Sequence, residues 1–229
     1  MSQTTAPPPA ASGFADRSLG EIATALPVAT AVFRRHRLDF CCGGLVSLAE
    51  AAAAKNLSVA AIEAELAAVA DAQQSVALPD NSAALTDLIE TRYHAAHRAD
   101  LPELVRLARR VEAVHRSHPA VPAGLADLLE NLSNELEAHM RKEEQVLFPL
   151  IRQGGHPMIA QPIAAMLAEH DDHGAYLRLL EERTGNFAAP ADACGTWRAL
   201  YAGCRSFTDA LMEHVHIENN VLFPRFAAR

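Results

Sequence analysis

Two stretches of the chain decide the fold: residues 136–149 read LEAHMRKEEQVLFP and residues 211–224 read LMEHVHIENNVLFP. At an offset of 75 residues their His, Glu and Val-Leu-Phe-Pro positions coincide. In each stretch a His and a Glu stand four residues apart, first as His139 and Glu143 and then as His214 and Glu218. An internal duplication is the economical explanation of this pattern.

Apolar residues extend both stretches at alternating steps of four and three, which is the spacing of a helix-bundle seam. The first seam contains Leu125, Leu129, Leu132, Leu136, His139, Glu143, Val146 and Leu150, and the second contains Trp197, Leu200, Cys204, Phe207, Leu211, His214, Glu218 and Val221. No β-type alternation of useful length is present. The sequence therefore predicts an all-α fold, with an up-down-up-down four-helix bundle over residues 83–229.

Each repeat also contains an earlier pair of histidines. His94 with His97 and His170 with His173 stand 76 residues apart, with the same internal spacing. The first His of each pair precedes the His-xxx-Glu motif by 45 and 44 residues, enough for the rest of one helix, a turn and most of an antiparallel neighbour. We therefore expect six side chains at a similar level of the bundle.

The six side chains predict a two-metal site. Residues four apart share one helix face, and an ionised carboxylate on a core seam is costly unless it is paired or bound to metal. No Lys or Arg stands on either seam beside Glu143 or Glu218. Imidazole and carboxylate donors suit iron, manganese or zinc. If both Glu bridge, each ion has two nitrogens and two oxygens, and a bridging oxygen leaves one octahedral position open. The predicted ligands are His94, His139, Glu143, His170, His214 and Glu218.

The other histidines have weaker assignments. His97 and His173 lie one turn from the predicted ligands and are interpreted as residues that support the ligands without binding the metal, or as structural residues. Tyr93 is interpreted as a hydrogen-bonding neighbour of the site or as a core residue. The remaining five histidines have no comparable partner and are predicted to be solvated: His36, His115, His118, His156 and His216.

Upstream of the bundle, the sequence predicts a disordered tail over residues 1–15, a small helical domain over 16–74 and a linker over 75–82. Ser18 with Glu21 and Ser47 with Glu50 have the spacing of helix-capping boxes. Between them Cys41 and Cys42 precede two glycines. These cysteines are either thiols for redox or metal-transfer chemistry, or small apolar residues packed at a helix junction.

Composition excludes several classes of protein. The 229 residues carry 20 Lys+Arg against 28 Asp+Glu, a net charge of −8, which disfavours binding to nucleic acid or to an anionic membrane. Four cysteines do not make a disulfide framework, and no signal peptide or membrane span is evident. We expect a cytoplasmic protein.

These motifs resemble the hemerythrin-like proteins, which are four-helix bundles holding a non-haem di-iron centre. From about Ser18 onward the chain is similar to the iron–sulfur cluster repair di-iron family (RIC, YtfE/ScdA-like). The motifs that carry the similarity are Leu38-Asp39-Phe40-Cys41-Cys42-Gly43-Gly44, Arg92-Tyr93-His94 and Glu218-Asn219-Asn220-Val221-Leu222-Phe223-Pro224. The resemblance implies the same six ligands for two iron ions, oxo- and carboxylate-bridged. Four histidines instead of five depart from the oxygen-carrying hemerythrins.

The resemblance implies an iron donor, more than a classical enzyme, that restores iron–sulfur clusters damaged by nitric oxide or oxidants. Its partners would be the damaged iron–sulfur proteins, with nitric oxide or oxygen as a small ligand. Three alternatives stay open: a sensor or store of these gases, a di-iron oxidase or nitric oxide reductase, and a mononuclear zinc protein. Ferritin-type oxidation is disfavoured because those sites use Glu-xx-His pairs.

Overall fold

The computed structural model describes residues 13–71 and 78–226. The chain divides into two compact units, Met1–Ser75 and Val76–Arg229. Most of the predicted tail, residues 1–12, and the first part of the predicted linker, residues 75–77, lie outside the described residues. Residues 13–15 belong to the first unit, where the Ala15 backbone N–H donates to the Glu63 carboxylate at 2.9 Å.

The first unit is a small helical domain with an apolar core. Its helices are α1 Leu19–Ala25, α2 Ala29–Arg35, α3 Leu48–Ala54 and α4 Val59–Asp71. Both predicted capping boxes are confirmed, because Ser18 accepts from the Glu21 backbone N–H and Ser47 accepts from that of Glu50. An antiparallel bridge joins the two caps. The core beneath them is made of Leu19, Ile22, Phe33, Leu38, Phe40, Leu48, Ile62 and Leu66.

The second unit is a four-helix bundle, as predicted. The first rod is α5 Ser82–Leu88, a π-helical turn Ile89–His94 and α6 Ala95–Val114; the second is α7 Leu125–Lys142, a π-helical turn Glu143–Leu147 and α8 Phe148–Arg152. The third is α9 Ala160–Arg183, and the fourth is α10 Gly195–Ile217, a π-helical turn Glu218–Leu222 and a 3₁₀ turn Phe223–Arg225. Helix α6 packs on α7 and α10, and α9 packs on both of those helices as well.

The π-helical turns correct the predicted seams. Val146 was expected in the core but is 51% exposed, whereas Leu147 is 1% exposed. The physical reason is that a π turn holds one more residue than an α turn, so positions after Glu143 advance by one. The second repeat shows the same shift, because Leu222 is fully buried and Val221 only partly buried.

Among the described residues, no helix is long and apolar enough to cross a membrane. Regular strands are likewise absent from residues 13–71 and 78–226, which confirms the all-α prediction.

Candidate metal centre

The six side chains singled out by the duplication meet inside the bundle. His94 ends one π turn, and Glu143 and Glu218 each begin another. The other three lie within α7, α9 and α10. All six residues are buried, with at most 1% exposed. π-helical turns are frequent at functional sites, and here three of the six residues stand at the boundary of one.

The donor atoms form a closed ring. Glu143 places Oε2 3.3 Å from His94 Nε2 and Oε1 3.3 Å from His139 Nε2. In the same way, Glu218 places Oε2 3.1 Å from His170 Nε2 and Oε1 3.3 Å from His214 Nε2. The ring closes through two imidazole pairs, with Nε2–Nε2 distances of 3.3 Å for His94 and His214 and 3.1 Å for His139 and His170.

This ring contains two overlapping donor groups that fit metal ions. The first is His94, Glu143, His214 and Glu218, and the second is His139, Glu143, His170 and Glu218. In each group one donor atom per residue lies within 4.8 Å of all the others. We refer to them as the His94 subsite and the His139 subsite. They share both carboxylates, which is the arrangement that the sequence predicts for two bridging glutamates.

The carboxylate oxygens provide a test of whether a metal fits. None of the four oxygens of Glu143 and Glu218 has a hydrogen-bond partner among the described residues, although imidazole nitrogens lie 3.1–3.3 Å away. Buried carboxylates are normally paired or hydrogen-bonded. Buried carboxylate oxygens that face imidazole nitrogens without a hydrogen bond match the arrangement around a cation, so the ring fits a metal site.

Three of the four ring histidines are held by a polar neighbour on their other nitrogen. His94 Nδ1 lies 2.8 Å from Glu144 Oε1, and His139 Nδ1 lies 2.8 Å from Glu169 Oε2. His170 Nδ1 lies 2.6 Å from Asn219 Oδ1. Such partners fix the tautomer and the orientation of a ligand imidazole. For His214 Nδ1, no hydrogen-bond partner occurs among the described residues.

Aromatic rings cover the same imidazoles. Phe148 stacks on His94 at 5.8 Å between ring centroids, and Phe223 stacks on His170 at 6.0 Å. These are the phenylalanines of the repeated Val-Leu-Phe-Pro motif, so each copy of the motif covers one histidine of the site. Tyr93 stacks on His214 at 5.5 Å with an interplanar angle of 10°.

His97 and His173 lie against the ring. His97 is 5.4 Å from His214, and His173 is 4.7 Å from His139, measured between ring centroids. Burial, together with the neighbouring ring histidines, lowers the pKa of each residue to about 2, so both are neutral. Neither His97 nitrogen has a hydrogen-bond partner among the described residues, and neither does His173 Nδ1.

Comparison with known proteins reproduces the division into two units. A family model described as "Hemerythrin HHE cation binding domain" matches residues 85–226, and one described as "Domain of Unknown function (DUF542)" matches residues 15–70. Curated relatives named iron-sulfur cluster repair protein YtfE are 48% identical in Citrobacter koseri and 47% identical in Escherichia coli O157:H7 and Enterobacter sp.. Each match covers 94% of this chain and 98% of the relative. The chain belongs to the YtfE iron–sulfur cluster repair family.

Membership of this family and the HHE domain imply iron at the buried ring. The two buried carboxylates also shift the pKa values of the histidines that face them. Burial alone would lower the pKa of His94 and His139, but Glu143 and the other nearby carboxylates outweigh it; they raise the pKa of His94 and bring that of His139 to about 9. Burial would raise the pKa of Glu143 and Glu218, yet the facing histidines lower it.

The cysteine pair in the first unit forms a separate cluster. Asp39, Cys41 and Cys42 offer three donor atoms within 4.8 Å of one another, and both cysteines are free thiols. Cys41 Sγ lies 3.7 Å from Cys42 Sγ and 3.3 Å from Asp39 Oδ1. The hydrogen bond to Cys42, together with burial, raises the pKa of Cys41 well above its usual value. Cys41 is therefore a protonated thiol at neutral pH.

Residues outside these clusters correct and extend the sequence interpretation. His216 was predicted to be solvated but is buried, 3.0 Å from the side-chain nitrogen of Asn220. Glu144, Glu169 and Asn219 were missed as partners of the ring. The available signal was symmetry, since Glu144 and Asn219 each follow a ring glutamate and Glu169 precedes a ring histidine.

Proposed function

We propose that this chain repairs iron–sulfur clusters damaged by nitric oxide or oxidants, by donating iron from a labile di-iron centre. The observation that carries the proposal is the closed ring of six buried donors, within a hemerythrin bundle of a chain 48% identical to a YtfE repair protein. Iron is the cargo of this reaction, and a cluster that has lost iron is its acceptor.

Each iron ion would be held by two histidines and would share two glutamates with its neighbour. His94 and His214 would serve one ion, His139 and His170 the other, and Glu143 and Glu218 both. When bound, the iron pair supplies redox chemistry and a coordination position for a small ligand such as nitric oxide. The remaining roles belong to the protein: Glu144, Glu169 and Asn219 orient three imidazoles, and Phe148 and Phe223 exclude water.

When iron leaves the buried site, protonation of two histidines can compensate the charge of the two carboxylates. Two carboxylates left without a cation would be costly. In this chain His94 and His139 face Glu143 and have raised pKa values, so they can each hold a proton at Nε2. Two positive histidines then balance two carboxylates. Binding of iron displaces these protons, and release of iron restores them.

The proposed clients are cytoplasmic iron–sulfur enzymes, with no nucleic acid or membrane in the reaction. The test uses a [4Fe–4S] enzyme inactivated by nitric oxide and the full chain loaded anaerobically with ferrous iron. We expect the loaded chain to restore activity beyond an equal amount of free ferrous iron. The matched control is Glu143→Ala, which lacks a donor common to both subsites. Recovery no better than with free iron, or equal recovery with Glu143→Ala, would refute the proposal.

A second candidate is reversible binding of nitric oxide or oxygen without repair. It is favoured by His97, whose two buried nitrogens have no hydrogen-bond partner among the described residues while its ring lies against His214. Buried orphan nitrogens are expected where a small polar ligand or water binds. A reversible spectral change with nitric oxide, without any effect on the client enzyme, would favour this candidate. Catalytic turnover of nitric oxide would favour a reductase.

A further inference from the structure

The outer partners of the ring histidines follow the internal duplication, but their chemistry does not. The residue after each ring glutamate lies on the first histidine of a repeat: Glu144 is 2.8 Å from His94, and Asn219 is 2.6 Å from His170. The residue before that first histidine lies on the second histidine of the other repeat. Glu169 is 2.8 Å from His139 Nδ1, whereas Tyr93 stacks its ring on His214.

The two subsites therefore differ at one imidazole each. Each has one histidine held by a carboxylate, Glu144 in the His94 subsite and Glu169 in the His139 subsite. Both carboxylates are also paired with a surface cation, Arg98 for Glu144 and Lys142 for Glu169. These two anchors are closely matched, so they do not distinguish the subsites.

The remaining two histidines do distinguish them. His170 Nδ1–H donates to Asn219, and this bond fixes the tautomer that presents Nε2 to the ring. His214 is surrounded by rings, with Tyr93 at 5.5 Å and His97 at 5.4 Å, and its Nδ1 has no hydrogen-bond partner among the described residues. The packing of Tyr93 and His97 orients the His214 imidazole but does not accept the proton of Nδ1. It therefore does not increase the basicity of Nε2.

We infer that the two subsites are unequal, and that the ion held by His94 and His214 leaves first. This inference rests on the proposed function, because it names which of two iron ions is the labile cargo. An outer-sphere hydrogen bond to a ligand histidine typically changes metal affinity by about 10–100-fold. The absence of such a bond at one of four histidines is enough to separate two release steps by about tenfold.

The test follows release of ferrous iron from the anaerobically loaded full chain into an excess of the chelator ferrozine. We expect two phases of equal amplitude. Glu144→Gln and Glu169→Gln form a matched pair, since each alters a carboxylate anchor that is also bound by a surface cation. Glu144→Gln should accelerate only the fast phase, and Glu169→Gln only the slow phase. Asn219→Ala should accelerate the slow phase about tenfold, toward the fast one.

A spectroscopic measurement separates positioning from a general loss of structure. Mössbauer spectra after the fast phase should retain one quadrupole doublet, and Asn219→Ala should shift that doublet. Circular dichroism verifies the fold of each variant, and the two glutamate variants decide the question if Asn219→Ala does not fold. A single release phase for two ions, or acceleration of the fast phase by Glu169→Gln, would overturn the inference.

Failure of this inference can be told apart from failure of the proposed function. Two ions released in a single phase, from a chain that still repairs clusters, overturn only the inference. Release of the two ions in two phases without any cluster repair would support the unequal subsites and refute the proposed function. One bound ion per chain overturns both, because there is then no second subsite.

Discussion

The Nε2 atoms of His94 and His214 lie 3.3 Å apart inside the bundle, although 120 positions separate the two residues in the chain. One comes from the first rod and the other from the fourth. The equivalent pair, His139 and His170, is 3.1 Å apart and comes from the second and third rods. The ring of donors is thus assembled from all four rods, and each rod contributes to it.

The first prediction concerns metal content. Glu143 belongs to both donor groups, whereas His139 belongs to one. We expect Glu143→Ala to lower iron content at both subsites and His139→Ala to lower it mainly at one. Glu135→Ala, an exposed change on the same helix, is the control. Metal analysis of the anaerobically loaded chain measures the outcome, and unchanged iron in Glu143→Ala would refute the ligand assignment.

The second prediction tests the register shift made by the π turn. Leu147 is buried and Val146, its neighbour, is 51% exposed. Leu147→Ala should reduce the free energy of unfolding by about 2–5 kcal/mol through cavity formation. Val146→Ala should change it by less than about 0.5 kcal/mol. Chemical denaturation of the two variants measures this free energy. The opposite order of effects would show that the α-helix continues through residues 143–147 without a π turn.

The third prediction concerns stability in acid. His97 has a pKa of about 2 when folded against 6.5 as a free side chain. The unfolded chain therefore binds more protons below pH 6.5, and stability falls as pH decreases. One such histidine costs ~1.4 kcal/mol for each pH unit below 6.5. In urea unfolding of the metal-free chain between pH 7 and 5, His97→Leu should show a smaller slope.

The matched comparison for this change is His173→Leu, because burial likewise lowers the pKa of His173 to about 2. We expect the same reduction in slope. His156→Leu, which removes an exposed histidine, should leave the slope as in the wild type. Equal slopes in all four proteins would show that His97 and His173 are not held neutral.

The fourth prediction separates two thiols in the bundle. Backbone N–H groups of Trp197 and Thr196, with His115 3.2 Å away, lower the pKa of Cys194 to about 7. Burial raises the pKa of Cys204 to about 12. Because the thiolate is the nucleophile, iodoacetamide at pH 7 should label Cys194 well before Cys204. The rate at Cys194 should rise through pH 7 and level off above it.

Mass spectrometry of peptides identifies the labelled thiol. His115→Ala should slow labelling of Cys194 only partly, since the backbone donors at the start of α10 remain. Faster labelling of Cys204 would contradict the assignment.

The six residues of the ring could be predicted from the sequence because the internal duplication and the helical period select the same positions. Ligand-type residues in register on two apolar seams have few explanations other than a metal, and the closed ring agrees with the predicted set. Capping boxes at Ser18 and Ser47 were equally predictable, because a cap depends on residues only three apart. These features are local, or repeat at a fixed interval along the chain.

Only the tertiary structure shows the π turns and the outer partners of the ring histidines, which the helical period of the sequence does not indicate. The π turns at Glu143 and Glu218 change which following residue faces the core, and a regular seam pattern gives no sign of them. Glu169 is 30 positions from His139, and Asn219 is 49 positions from His170, so their pairing depends on how the rods pack. The amino-acid sequence by itself determined the helices and the six donors, because both follow from spacing along one chain. Packing of four rods determined the unequal surroundings of the four histidines, because each outer partner comes from a different rod than its imidazole.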